Sequence, residues 1–288
     1  MIPSPDHQQP LLPWLLETLG ANMPRSRVRQ LLQFGRIAVN GSSVTRHDHP
    51  VGPADRLSIV GRDAAVRAGA GTHGCGIPVV YMDDHLIVVD KPAGLLSVAT
   101  DNNKTDTAFT RLKDWLTRTR SGRPYVVHRL DRDTSGLLVF ARSPTAHDRL
   151  QHDWEDVSKT YMAICEGCPD PAAGTIDTFL EEGADLRVRV RPTAGGHAKR
   201  AVTLYRVTSS QGGLSLVEVQ LQTGRKHQIR VHLASLGCPI VGDRVYGNGE
   251  GRRMALHAWR LEFKHPISSD ITTVISPWPD LFQRWAKP

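Results

Sequence analysis

Residues 126–141 read VVHRLDRDTSGLLVFA, two apolar runs enclosing Arg129, Asp131, Arg132 and Asp133. A fold gains nothing by burying so many charges between strands, so the segment is read for chemistry. A carboxylate fixed among cationic groups can attack an electrophilic carbon or remove a proton. Asp133, Thr134, Ser135 and Gly136 are good turn formers, and Asp133 is expected to do no more than cap backbone N–H groups. Asp131 differs because it directly follows the strand-like VVHRL, which would hold it at the end of a rigid element.

Metal and redox chemistry fit poorly. His227, His232 and His257 lack the i, i+4 pairing and adjacent carboxylate of a zinc enzyme. Cys165 and Cys168 form a C-x-x-C, but Cys75 and Cys238 stand alone, so no second ligand pair completes a site. No G-x-G-x-x-G follows a strand and no Walker loop occurs. The expectation is no metal and no cofactor.

Composition bounds the partner. With 36 Lys and Arg against 29 Asp and Glu, the 288-residue chain carries a formal charge of +7, which favours a polyanion through counterion release. No apolar run approaches the roughly 20 residues of a membrane helix, and the first residues lack a basic lead and a cleavage site. Four cysteines suit a reducing compartment. A soluble, cytoplasmic protein is expected, with no membrane contact, no obligate protein partner, and monomeric action.

The elements that must position Asp131 fall into two regions. Residues 24–36, PRSRVRQLLQFGR, place Val28, Leu31 and Leu32 at helical spacing and leave Arg25, Arg27, Arg29 and Arg36 without one acidic neighbour in that stretch. Asn40-Gly41 then joins IAV to SSVT as a two-residue hairpin turn, and DRLSIV reads as a closing strand. Residues 61–76 hold five glycines and little that packs, so 63–77 is expected to be a flexible linker between residues 1–62 and 78–288. In the larger region, Thr105 or Asp106 could cap one helix and Ser143 another. Strands are expected at 159–164, 202–207 and 214–222, and a helix with Ile229, Leu233 and Leu236 on one side follows Thr223-Gly224, leaving Arg230 off the apolar side. Without sustained βαβ alternation, the fold class is α+β on a mixed, largely antiparallel sheet, with a small N-terminal α/β domain.

H-R-L-D-x-x-T-S-G-L-L from His128 resembles the signature of the RluA family of pseudouridine synthases. Further matches follow in order: K-x-Y-x-A at Lys159, Tyr161 and Ala163; T-G-R-x-H-Q-I-R-V-H from Thr223; G-D-x-x-Y-G from Gly242; and A-L-H-A from Ala255, with Phe263 and His265-Pro266 beyond. The likeness spans about residues 78–288. The basic helix, N-G hairpin and closing strand over roughly 12–60 resemble an S4 RNA-binding domain, and the combination is similar to the branch that modifies large ribosomal RNA. One departure is Leu96-Ser97-Val98-Ala99 after KPAGL, where many relatives carry V-H, so substrate contacts there are expected to differ.

The resemblance implies isomerisation of specific uridines in RNA to pseudouridine, which needs no cofactor. Asp131 would be the essential carboxylate, either attacking C1′ or removing the 2′ proton to form a glycal. An arginine would favour its ionised form, and Arg230 is the candidate. Tyr161 would pack on the target uracil, and Arg129 would enter the space that a flipped uridine vacates. His128, Arg225 and Leu256 join the substrate-binding set, and Arg25, Arg27, Arg29 and Arg36 would present charge to RNA. Ribosomal RNA is the first expected substrate and transfer RNA the second. The alternatives are a catalytically silent RNA-binding or ribosome-assembly protein and a nucleobase glycosidase.

Overall fold

The computed structural model describes residues 2–21, 23–33, 36–40, 42–44, 46–59, 74–99, 105–249, 253–283 and 285. The first unit runs β1 (Gln9–Pro10), α1 (Leu11–Thr18), α2 (Arg25–Gln33), β2 (Ile37–Val39), β3 (Ser42–Val44), β4 (Pro50–Val51) and β5 (Leu57–Ile59). Val28, Leu31 and Leu32 pack with Leu11, Leu15, Ile37 and Leu57 in its own small core, as their spacing predicts. Arg25 and Arg29 are exposed, while Arg27 and Arg36 are half-buried. The hairpin forms between β2 and β3, with Asn40 at φ 54°. Its side chain accepts from Arg56 N–H at 2.8 Å and donates to Asp55 at 2.7 Å, tying the turn to the approach of β5.

Most of the expected linker, residues 63–73, lies outside the described residues. Cys75 and Ile77 are already buried in the core of the second unit, so that core begins before residue 78.

The second unit contains β6 (Val79–Met82), β7 (Leu86–Lys91), α3 (Ala108–Arg118), β8 (Tyr125–Val126), β9 (Ser135–Ala141), α4 (Pro144–His152), β10 (Ser158–Glu166), β11 (Ala173–Glu182) and β12 (Val188–Arg191). It continues through β13 (Lys199–Gln211), β14 (Leu214–Leu221), α5 (Gln228–Ser235), β15 (Leu256–Lys264), β16 (Ile271–Ile275) and α6 (Asp280–Gln283). One sheet runs β12-β11-β13-β14-β10-β15-β9-β7-β6, with β16 on β15 and β8 on β9. This is the expected mixed, largely antiparallel α+β sheet, and β9 and β15 form a parallel pair within it.

Both faces of the sheet centre are covered, which explains why β7 and β9 read as continuous apolar runs rather than alternating ones. Ile87, Val89, Leu138 and Phe140 face α3 with Leu112, Trp115 and Leu116. Leu86, Val88, Leu137 and Val139 face α4 with Ala146 and Leu150. Ser143 caps α4 as expected, accepting from Ala146 N–H at 3.2 Å. The cap of α3 is Thr107, not Thr105 or Asp106. Thr107 Oγ1 accepts from Thr110 N–H at 3.1 Å and Thr110 Oγ1 accepts from Thr107 N–H at 2.9 Å, a reciprocal pair that an earlier start would forfeit.

Gly136 decides how closely β9 and β15 approach. Its φ is 113°, and a β-carbon there would sit 2.2 Å from Ala258 O. Gly136→Ala is therefore expected to destabilise the fold by at least about 3 kcal/mol, through strain and through separation of the two strands. Urea denaturation checks this, and an unchanged midpoint would contradict it.

Candidate active site

The VVHRL run does not place Asp131 at a strand end. Only Tyr125 and Val126 pair, with Ala141 and Phe140, and the chain then runs unladdered to β9. Side chains beneath the segment hold it instead. Ser97 Oγ donates to Leu130 O at 2.7 Å and accepts from Leu130 N–H at 3.0 Å, so the departure at residues 96–99 sets the loop's backbone. Lys91, fully buried, donates through Nζ to Pro92 O at 3.0 Å, Leu95 O at 2.8 Å and Arg132 O at 3.0 Å. Gly94 N–H also reaches Arg132 O, at 2.9 Å. Three backbone carbonyls thus converge on one ammonium, a substitute for the missing ladder.

Burial pulls the Lys91 pKa down to about 8, with the charges of Asp133 and Asp131 opposing. The sign follows from linkage. Between about pH 8 and the unfolded value near 10.4 the unfolded chain binds the extra proton, so folding becomes more favourable as pH rises through that window. Wild type is therefore expected to gain stability relative to Lys91→Met from about pH 8 to about pH 10, as measured by urea midpoints. A constant difference would contradict the assignment.

The opposing wall comes from the segment 223–230. Gln228 is buried, and its Oε1 accepts from Thr223 Oγ1 at 2.8 Å and Arg225 N–H at 3.0 Å. Its Nε2 donates to Val202 O at 3.0 Å and Thr203 Oγ1 at 2.9 Å. Every polar atom of that amide is used to lock the entrance of α5 onto β13, and His227 precedes the helix with φ 54°.

Arg230, in the first turn of α5, is aimed by this lock. It is buried, with its Nη1 3.2 Å from Asp131 Oδ2 and its Nε and Nη2 bound to Asp243 at 2.7 and 2.8 Å. Asp243 Oδ1 also accepts from Val245 and Tyr246 N–H, at 2.8 and 3.1 Å. Burial works against the Arg230 cation, but the hydrogen bonds and charge of Asp243, with Asp131 adding, outweigh it and hold the pKa above its ordinary value. Burial likewise opposes the Asp243 carboxylate, and Arg230 pulls its pKa below the usual range. The guanidinium lies 5.1 Å from the centre of the Tyr246 ring.

Asp131, Tyr161, Arg230, Arg129, Arg225 and Leu256 come together around a cleft of about 110 Å³, joined by His227 and Gln228. Asp131 keeps 31% of its side chain exposed while Arg230 behind it keeps 8%. Tyr161 enters from β10 beside a register shift between Thr160 and Tyr161, and burial, reinforced by the Asp131 charge, pushes its hydroxyl pKa up. Arg129 and Arg225 are exposed at the rim, and Arg225 Nε donates to Arg200 O at 3.1 Å.

His128 is placed elsewhere. Its Nε2 accepts from Val139 N–H at 3.0 Å, its ring stacks on Trp154 at 4.4 Å, and burial lowers its pKa to about 3. A neutral ring in that position braces the loop against β9 and does not line the cleft. Among the described residues, no group of three or more His, Cys, Asp or Glu is placed to hold a metal, and no helix is long and apolar enough to cross a membrane. Lys91, Ser97, Gln228 and Asp243 have site roles that sequence reasoning missed. Lys91, Gln228 and Asp243 lie within matched motifs, but their burial was invisible there.

A partly exposed carboxylate with a fixed cation behind it and an aromatic ring across a small cleft suits attack on, or proton removal from, a ring-bearing substrate. Residues 85–235 match the family model described as RNA pseudouridylate synthase. The chain is 34% identical over 275 residues to the uncharacterized RNA pseudouridine synthase YhcT of Bacillus subtilis, covering 92% of this chain and 90% of that one. It is also 34% identical over 273 residues to ribosomal large subunit pseudouridine synthase D of Zymomonas mobilis, covering 88% and 85%. Among solved structures, human RNA pseudouridylate synthase domain containing 4 superposes with a TM-score of 0.61 at 26% identity, over 71% of this chain and 90% of that one. With the family model spanning more than half the chain and the relatives nearly all of it, the protein belongs to the RNA pseudouridylate synthase family and is an RNA-modifying isomerase.

Proposed function

We propose that the chain converts uridines of large-subunit ribosomal RNA to pseudouridine with Asp131 as the essential carboxylate. The observation that carries this is the Asp131–Arg230 ion pair at 3.2 Å in the wall of a cleft that also contains Tyr161. The reaction breaks the N1–C1′ bond, turns the uracil, joins C5 to C1′ and exchanges the C5 proton for one on N1, so nothing is gained or lost overall. Asp131 acts on the ribose in its charged form, and Arg230 supplies the counter-charge from a position that Asp243 fixes. Tyr161 packs on the uracil.

A stacked uridine cannot reach that carboxylate, so it must leave the helix at a cost of about a few kcal/mol. Arg129, exposed two residues before Asp131, enters the gap, where a guanidinium can stack on bases and pair with phosphate. One short loop then carries both the flipping residue and the reacting acid, which accounts for its charge density. Residues 1–62 act as an S4-like RNA-binding domain through Arg25, Arg27, Arg29 and Arg36. The name of the Zymomonas relative supports the ribosomal substrate, and the net charge of +7 supports an RNA partner. Pseudouridine maps of cells lacking the gene, restored with wild type or Asp131→Asn, test this. Large-subunit positions should vanish in the deletion and return only with wild type; loss confined to transfer RNA would overturn the substrate assignment.

A further inference from the structure

Beside the carboxylate stands a side chain that the scheme above leaves unused. His227 lines the cleft with Nε2 3.8 Å from Asp131 Oδ2. Its left-handed backbone is disfavoured for any residue with a β-carbon and persists where the surroundings fix it. Here the ring is fixed from behind. Nδ1 lies 2.9 Å from the Tyr246 hydroxyl, and that hydroxyl accepts the Val188 N–H at 3.0 Å. Tyr246 is itself held by its N–H on Asp243 and by the guanidinium of Arg230 over its ring.

These contacts favour one tautomer. With Val188 N–H on the phenol oxygen and the Asp131 carboxylate facing Nε2, the arrangement that suits all three groups has the phenol donating to Nδ1 and the imidazole proton on Nε2. The negative charge of Asp131 favours the same form. Burial lowers the His227 pKa, with Arg230 and Lys226 adding to that effect and Asp131 and Asp243 opposing it. At 3.8 Å, Nε2–H is too far from Asp131 for a direct hydrogen bond. His227 lines the cleft, so Nε2–H is a donor left open to an acceptor that enters the cleft.

We propose that His227 is a further catalytic residue: it donates Nε2–H to a carbonyl oxygen of the target uracil, with Tyr246 as the positioning residue that fixes its tautomer. This rests on the isomerase reading with Asp131. As the N1–C1′ bond breaks, its electron pair stays with the uracil, and negative charge spreads onto the ring carbonyls. A preoriented donor stabilises that charge without transferring a proton.

The test uses the full chain and total RNA from cells lacking the gene, tritiated at uracil C5, under single-turnover conditions, with RNA affinity measured by filter binding. His227→Asn tolerates the left-handed backbone but ends short of the Nε2 position, whereas the amide nitrogen of His227→Gln reaches it. The expected result is a rate about 100-fold down for His227→Asn with unchanged affinity, against a loss within about tenfold for His227→Gln. Tyr246→Phe keeps the ring over Arg230 and should slow wild type several-fold while adding nothing to His227→Gln. If wild type converts uridine and His227→Asn matches it, or His227→Gln is as slow as His227→Asn, this inference falls alone. If wild type converts no uridine in that RNA, the isomerase reading falls and this inference with it.

Discussion

Asp131→Asn is expected to lower the rate of pseudouridine formation by on the order of 10⁴-fold or more, with RNA affinity and thermal stability close to wild type. The amide matches the carboxylate in shape but can neither attack C1′ nor take a proton. Stability should hold because the side chain is 31% exposed and the Asn amide oxygen can still accept from the Arg230 guanidinium. Arg230 retains both contacts to Asp243. Single-turnover rates, filter binding and a thermal melt on the same preparation separate these effects. A variant that binds RNA and still turns over within about tenfold of wild type would remove Asp131 from the chemistry.

Arg230→Met should fail differently. The Asp243 side chain has no exposed surface, and without its bidentate partner it becomes a buried, uncompensated charge, which costs about 3–5 kcal/mol. The same change removes the counter-charge at Asp131, so activity should fall by at least about 100-fold even where the variant is folded. Arg230→Lys separates the two roles. One ammonium can neutralise Asp243 but cannot also span to Asp131 with the guanidinium's geometry, so most stability should return and little activity. Melts and rates of the two variants test this pair of claims. Full activity in Arg230→Lys would show that the fork is dispensable.

Much of this site was legible in the sequence, and the limits have physical causes. Ser143 caps α4, Val28 and Leu31 turn inward, and β14 appears where Val217, Val219 and Leu221 alternate, because each signal is local. Asp131, Tyr161 and Arg230 share the cleft that the motif resemblance implied. The support of the loop was not legible. VVHRL has strand composition, yet it and the loop it leads into are held by Ser97, 33 residues from its partner Leu130, and by Lys91 at Arg132 O. His128 belongs to the same motif, but its stacking on Trp154 makes it a brace. The Asp131–Arg230 contact joins residues 99 apart, and the parallel β9–β15 pair that brings Leu256 to the cleft depends on a close approach at Gly136. No local pattern encodes such distances.

The most direct measurement is tritium release from C5-tritiated large-subunit RNA, prepared from cells lacking the gene and incubated with the purified protein. Wild type should release one tritium for each pseudouridine formed, with no free uracil, and Asp131→Asn should release none above background. Equal release by both proteins, or free uracil with abasic sites in place of pseudouridine, would contradict the account.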